Sequence, residues 1–268
     1  WEINLQDKKR QSEGHEEGTA NNVYSLPAMK NSIRYLHAAA GYPTKDTWIA
    51  AVKAGNYSTW PGLTERAINR HFPESNETQC GHMKKQRQHV RSTKQGQQKT
   101  PVVNAPHTDI TPVKDIIHLS MFNAKDTVYT DQTGMFPVTS HRGNKYIMVM
   151  HEVGSNYIDA EPLKSRAENA LVDAYETLYQ RLTRTNKVNP KLHILDNEAP
   201  SMLKEMIKKR CTLQLAPPDT HRRNLAERAI QTFKGHFISI LSGVDKNFPM
   251  KLWDRLVPQA VLTLNLLR

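Results

Sequence analysis

The chain changes rhythm between residues 127 and 216, and that change most restricts what it can fold into. Residues 127–138, 145–151 and 157–163 are short runs rich in β-branched and aromatic side chains, the composition of strands. His141-Arg142-Gly143-Asn144 and Gly154-Ser155-Asn156 between them have turn composition. Connections this short join antiparallel neighbours. Then the pattern alternates. Ala167, Ala170, Leu171, Ala174, Leu178 and Leu182 mark a long amphipathic helix. Leu192-His193-Ile194-Leu195 follows as a buried strand between Pro190 and Pro200. Met202, Leu203, Met206 and Ile207 form one face of the next helix, and residues 212–216 make a fifth strand before Pro217-Pro218. Three strands, helix, strand, helix, strand, helix predicts an α/β fold: a mixed five-stranded sheet with flanking helices.

Upstream the grammar differs. Residues 1–28 read as a polar tail or linker. Residues 29–83 read as a small helical domain, with Ile33, Leu36, His37 and Ala40 at helical spacing, then Trp48, Ala51 and Val52, then Ala67, Ile68 and His71. So small a bundle would gain from a metal. His37, His71, Cys80 and His82 are the candidate zinc ligands, but they lack the tight pairs that zinc sites use, and no zinc set is assigned. Residues 84–124 read as a basic linker. Lys84, Lys85, Arg87, Arg91, Lys94 and Lys99 occur there with no acid among residues 84–99, and Pro101, Pro106 and Pro112 follow. Such a segment either lies along a phosphate backbone or is only a solvated connection. The remaining domain is 125–268, ending at Arg268 within an apolar helical pattern, so the chain reads as a piece of something longer.

The net charge of +11 points to a polyanionic partner, nucleic acid before membrane. No apolar run of about 18 residues predicts a membrane span. Two distant cysteines form no disulfide framework, which suits a reducing compartment.

Three carboxylates complete the reading. Asp196 ends the strand of Leu192, at the edge where an α/β sheet places its chemistry. Asp131 lies in the first strand, and Glu227 opens the helix after Pro217-Pro218. If the first and fourth strands are neighbours, the aspartates stand side by side and a helix crossing them brings Glu227. Three such carboxylates repel one another unless cations neutralise them. Oxygen donors suit hard divalent ions, and two metals would serve an in-line phosphoryl displacement. The alternative is that all three are helix caps and surface charges. Glu227, Gln231 and Lys234 share a helix face, and His221, Arg222 and Arg223 precede it as phosphate contacts. Glu198 falls past the strand, in a turn before Pro200, and is assigned no catalytic role.

Residues 128–134 (Val-Tyr-Thr-Asp-Gln-Thr-Gly), Ile194-Leu195-Asp196-Asn197 and Asn224-Leu225-Ala226-Glu227-Arg228 resemble the catalytic core of retroelement integrases. Residues 221–234 and 252–260 are similar in particular to copia-type LTR retrotransposon polyproteins. The resemblance covers about residues 29–268 and is most specific from 127 to 243. It implies an RNase H-like domain in which Asp131, Asp196 and Glu227 bind magnesium or manganese. It implies that Lys234 touches the element DNA end, beside Arg222, Arg223 and Gln231. The implied activity is 3′-end processing and strand transfer into target DNA, by a homo-oligomer on DNA. It implies a nuclear site of action, reached through a cytoplasmic virus-like particle or nucleoprotein complex. A nuclease of this fold that only hydrolyses, or a non-catalytic DNA-binding remnant, are the alternatives. The sequence departs from the family at several points. Only 30 residues separate Asp196 from Glu227, Asn224-Leu225 stands where a glycine is common, and Met83 and Tyr42 replace zinc-module ligands.

Overall fold

In a computed structural model, the described residues are 26, 28–83, 124–196, 198–215 and 225–268. All but Met83 fall in one compact unit; a second, residues 83–121, otherwise lies outside the described residues. So does the expected basic linker almost entirely, and nearly all of the expected polar tail.

Five strands form one sheet: β1 (Thr127–Gln132), β2 (Tyr146–Glu152), β3 (Tyr157–Leu163), β4 (Leu192–Leu195) and β5 (Thr212–Leu215), in the order β3-β2-β1-β4-β5. β2 pairs antiparallel with both β1 and β3, whereas β4 runs parallel to β1 and β5 parallel to β4. One strand against four, second in order from the β3 edge, is the RNase H-like arrangement. The expected α/β mixed sheet is therefore the observed one.

β1 stops at Gln132, six residues short of the expected 138. Thr133 ends the ladder by using its side chain: its hydroxyl donates to Gly134 O at 2.9 Å and accepts from Ile147 N at 3.0 Å. Pro137 has no N–H with which to resume pairing. Two backbone bonds, Thr133 N to Ile147 O at 2.8 Å and Phe136 N to Lys145 O at 2.6 Å, keep the segment against β2.

Both faces of the sheet are covered. Side chains alternate along a strand, so β2 divides its residues between two cores. Met148 and Met150 join Val128 and Leu195 under helices α5 (Glu168–Arg184) and α6 (Ser201–Lys208), through Leu171, Leu178, Leu203 and Ile207. Ile147 and Val149 face α7 (Leu225–Gly243), where Phe233 and Phe237 pack with Trp253 and Phe136. Trp253 lies in a 3-10 turn (Met250–Leu256) that leads into α8 (Val257–Leu266). Burial on both sides explains why β2 reads as a continuous apolar run.

Among the described residues, four helices precede the sheet: α1 (Met29–Ala39), α2 (Lys45–Lys53), α3 (Glu65–His71) and α4 (Asn76–His82). The first three close over Ile33, Leu36, Trp48, Tyr57 and Ile68, and Leu266 and Leu267 pack on that cluster. α4 has no buried residue, so periodicity gives no sign of it. It is started instead by Ser75, whose hydroxyl accepts from Thr78 N at 3.1 Å, and it lies against α7.

Candidate active site

The register of β1 and β4 sets the site. Thr130 pairs with Leu195 across the parallel ladder, so one step further along each strand brings Asp131 beside Asp196. Parallel neighbours lie about 4.8 Å apart. Both residues therefore stand at the carboxyl ends of adjacent parallel strands, the position where such sheets bind ligands. Below them, the Thr130 hydroxyl and His193 Nε2 are 2.8 Å apart in a buried hydrogen bond that ties the two strands together. Tyr175 of α5 packs its ring on His193, centroids 5.3 Å apart.

Asp131 and Asp196 open onto one cleft of about 320 Å³, walled also by Thr130, Arg166, Glu198 and Leu203. The loop after β3 brings Arg166 to it, and the turn after β4 brings Glu198. The far wall is fixed by Glu168 in the first turn of α5. Its carboxylate accepts from Met202 N at 2.6 Å and so caps α6, whose Pro200 offers no side-chain cap.

The electrostatics single out Asp131. Burial is the main force raising its pKa above the ordinary aspartate value, and the charges of Asp196 and Glu227 push it further the same way. The Gln132 N–H, donating to Asp131 Oδ1 at 2.7 Å, and the charge of Arg166 pull it back. A half-buried acid pressed by two other acids is a place where a cation would be stabilised.

The sequence-predicted residues distribute unevenly around this centre. Asp131 and Asp196 share the cleft. Glu227 lies in the first turn of α7, exposed, within electrostatic reach of Asp131 but outside the cleft lining. Among the described residues, no three His, Cys, Asp or Glu side chains converge closely enough to hold an ion. Lys234 is half-buried on α7; burial lowers its pKa and the charge of Asp131 opposes that. Gln231 is exposed one turn before it. Arg222, Arg223, Lys84, Lys85, Arg87 and Arg91 lie outside the described residues.

The weak zinc candidates are scattered. His37 is buried among Tyr42, Trp48 and Phe72, and its Nε2 hydrogen-bonds to Pro43 O at 2.9 Å. Cys80 and His82 are exposed on α4, and His71 ends α3.

Two charged residues of the cleft lining were not predicted as site residues, Arg166 and Glu198. Arg166 sits in an aperiodic loop, and only the basic pair Lys164 and Arg166 before a helix hinted at it. Glu198 lies two residues past Asp196, beyond the end of β4, where strand alternation no longer says which way a side chain points.

No family model matches this chain, and no curated protein matches it. Among solved structures it is similar to the catalytic core domain of BIV integrase, at 15% identity and a TM-score of 0.38, over 52% of this chain and 82% of that one. It is also similar to a chain of the simian T-cell lymphotropic virus intasome in complex with PP2A regulatory subunit B56 gamma. There the identity is 17% and the TM-score 0.42, over 52% of this chain and 48% of that chain. Likeness at this level says nothing about chemistry; the fold stands on the strand order and register.

Proposed function

We propose that this chain is an integrase segment of a copia-type LTR retrotransposon polyprotein, which processes the 3′ ends of element DNA and joins them to target DNA. The observation that carries the reading is the register of β1 and β4, which pairs Thr130 with Leu195 and so sets Asp131 and Asp196, one residue further on, at the carboxyl ends of two adjacent parallel strands of an RNase H-like sheet. The +11 net charge supports a DNA partner.

In end processing, water attacks a phosphodiester near the element's 3′ end. Its oxygen stays on the phosphate of the released fragment, and the broken P–O bond leaves a free 3′-hydroxyl. In strand transfer that hydroxyl attacks a target phosphodiester, the new P–O bond replaces the one to the target's own 3′-oxygen, and the proton count is unchanged. Magnesium or manganese, in a two-metal arrangement, would supply Lewis-acid activation of the attacking oxygen and charge stabilisation of the leaving one. Asp131 and Asp196 fit such ions as hard oxygen donors whose mutual repulsion a cation relieves. Glu227, in the first turn of α7 and within electrostatic reach of Asp131, is the proposed third ligand. Lys234 and Gln231, on the same helix, face the DNA end, and Arg222, Arg223 and the basic residues 84, 85, 87 and 91 add phosphate contacts. The active form is a homo-oligomer on DNA, and its site of action is the nucleus.

The test is a metal-dependent assay with a labelled duplex end and plasmid target, comparing the chain with Asp196→Asn. Joined products that vanish in the variant support the reading. Joining that persists in Asp196→Asn sinks the mechanism. Cutting without joining favours a hydrolytic nuclease of the same fold, and DNA binding without either favours a non-catalytic remnant.

A further inference from the structure

Two aspartates at the mouth of a cleft repel a phosphodiester as surely as they attract a metal, so a strand entering this cleft needs a fixed cation of the protein's own. Arg166 is the basic residue in its lining. We infer that Arg166 holds the phosphate of the strand lying over Asp131 and Asp196, through its guanidinium and the non-bridging phosphate oxygens. The inference deepens the proposed function and rests on that reading of the cleft.

The geometry around Arg166 is that of a placed group. Its side chain is exposed, yet it is tied at two points. Nη2 donates to the Thr133 carbonyl at 3.0 Å, and the guanidinium carbon stands 5.0 Å from the centroid of the Tyr146 ring. The first contact ties it to the irregular turn after β1, two residues beyond Asp131. The second ties it to the start of β2. An exposed arginine ordinarily loses rotamer freedom when it binds an anion; here much of that loss is already met by the fold. Its other guanidinium nitrogens make no hydrogen bond to a described residue, and a planar fork matches two phosphate oxygens at once. Its charge is also felt at Asp131, so the cation and the acid act on the same space. An arginine serving only as counter-ion to Asp131 needs no stacking ring and no carbonyl anchor.

The two roles separate by salt. A residue that touches a phosphate contributes to the release of counterions on binding; a residue that merely supports the fold does not. The measurement is the affinity of the whole 268-residue chain for a labelled DNA duplex across a salt series, for wild type, Arg166→Ala and Arg166→Lys, with thermal melts alongside. Arg166→Ala is expected to bind about tenfold or more weakly, the scale of one charged hydrogen bond. Its slope of log affinity on log salt is expected to shrink by about 0.9, one phosphate contact. Arg166→Lys keeps the slope, because the charge remains. It raises KM for joining more than it lowers kcat, because the fork and the ring stacking are gone. A wild type that binds DNA with a slope unchanged in Arg166→Ala overturns the inference and leaves the proposed function standing. A wild type that binds but neither cuts nor joins overturns the proposed function, while the slope still decides the role of Arg166. A wild type that does not bind DNA overturns both.

Discussion

At Asp131 stability and activity pull in opposite directions. Burial and the charges of Asp196 and Glu227 disfavour its ionised form in the folded chain, so near neutral pH it stores repulsion that folding must offset. Asp131→Asn removes that charge and keeps an oxygen for the Gln132 N–H. In metal-free buffer near neutral pH, the variant is expected to melt above wild type. Adding magnesium should raise the wild-type melting temperature by ligand linkage and leave the variant nearly unmoved, with joining reduced well beyond the roughly 10–100-fold typical of losing a metal's outer-shell partner. A variant that melts lower without metal contradicts the picture of a strained acid. The third carboxylate is a separate question, because Glu198 lines the cleft and Glu227 does not. The expectation is that Glu227→Gln abolishes joining and Glu198→Gln keeps most of it, measured in one assay. The reverse result would move the third ligand to Glu198, where the sequence reading assigned none.

Between β1 and β4 the decisive element is a buried histidine. His193 is fully enclosed between Thr130 and Tyr175, and burial pushes its pKa down from 6.5 to about 3. In the unfolded chain it titrates near 6.5. Below that pH the unfolded state binds a proton that the folded state refuses, so stability rises with pH. The contribution is complete above about 6.5 and is lost as pH falls towards 3. At ~1.4 kcal/mol per unit it amounts to a few kcal/mol. His236, lowered to about 4 by burial, adds in the same direction. Urea unfolding at stepped pH values should give a steep acid limb in wild type and a shallower one in His193→Gln, with a cost of about 1–3 kcal/mol at neutral pH from the disturbed hydrogen bond. Parallel curves would mean that His193 does not carry its share. The element scale is also where the sequence was most and least readable. β3 ran over its expected residues, 157–163, because the turn Gly154-Ser155-Asn156 sets its start. β2 was displaced by a single residue. β1 was overestimated because Thr127 to Val138 keeps strand composition after Thr133 has already diverted its hydroxyl. α4 was missed because its sequence, Asn-Glu-Thr-Gln-Cys-Gly-His, has no apolar stripe. Asp196 was legible as a strand-end acid and Asp131 as an acid within the first strand. Arg166 was not, because a loop residue takes its place from distant partners, here Thr133 and Tyr146.

Over the whole molecule, the small helices and the sheet meet at places that hydrophobic pattern alone does not mark. α4 crosses α7 with glycine against glycine: a methyl group added to Gly81 would come 2.4 Å from Gly235 O and 1.9 Å from Ser239 Oγ. Asn56, after α2, donates its amide to Leu266 O at 2.9 Å and to Arg268 O at 3.1 Å. Tyr42 donates to Gly243 O at 3.4 Å. Contacts of this kind bind α1–α4 to backbone atoms of α7 and α8, and at Gly81 the Gly235 carbonyl leaves no side chain there that could be repacked to make room. Gly81→Val should therefore force the helices apart and destabilise the chain by about 1–3 kcal/mol or more, although position 81 lies in a polar helix far in sequence from the carboxylates. Coupling this close should also make unfolding one event. Trp48 in the helical cluster and Trp253 under the sheet are both fully buried, so variants retaining one tryptophan or the other report the two regions separately. In the chain with Gly81 intact, their denaturant midpoints are expected to coincide, as in a two-state transition. A Trp48 signal that melts first would show that α1–α4 open independently of the sheet. In that case the same pair of variants should separate further when Gly81→Val is introduced, because the loosened crossing would lower the Trp48 midpoint and leave that of Trp253 in place.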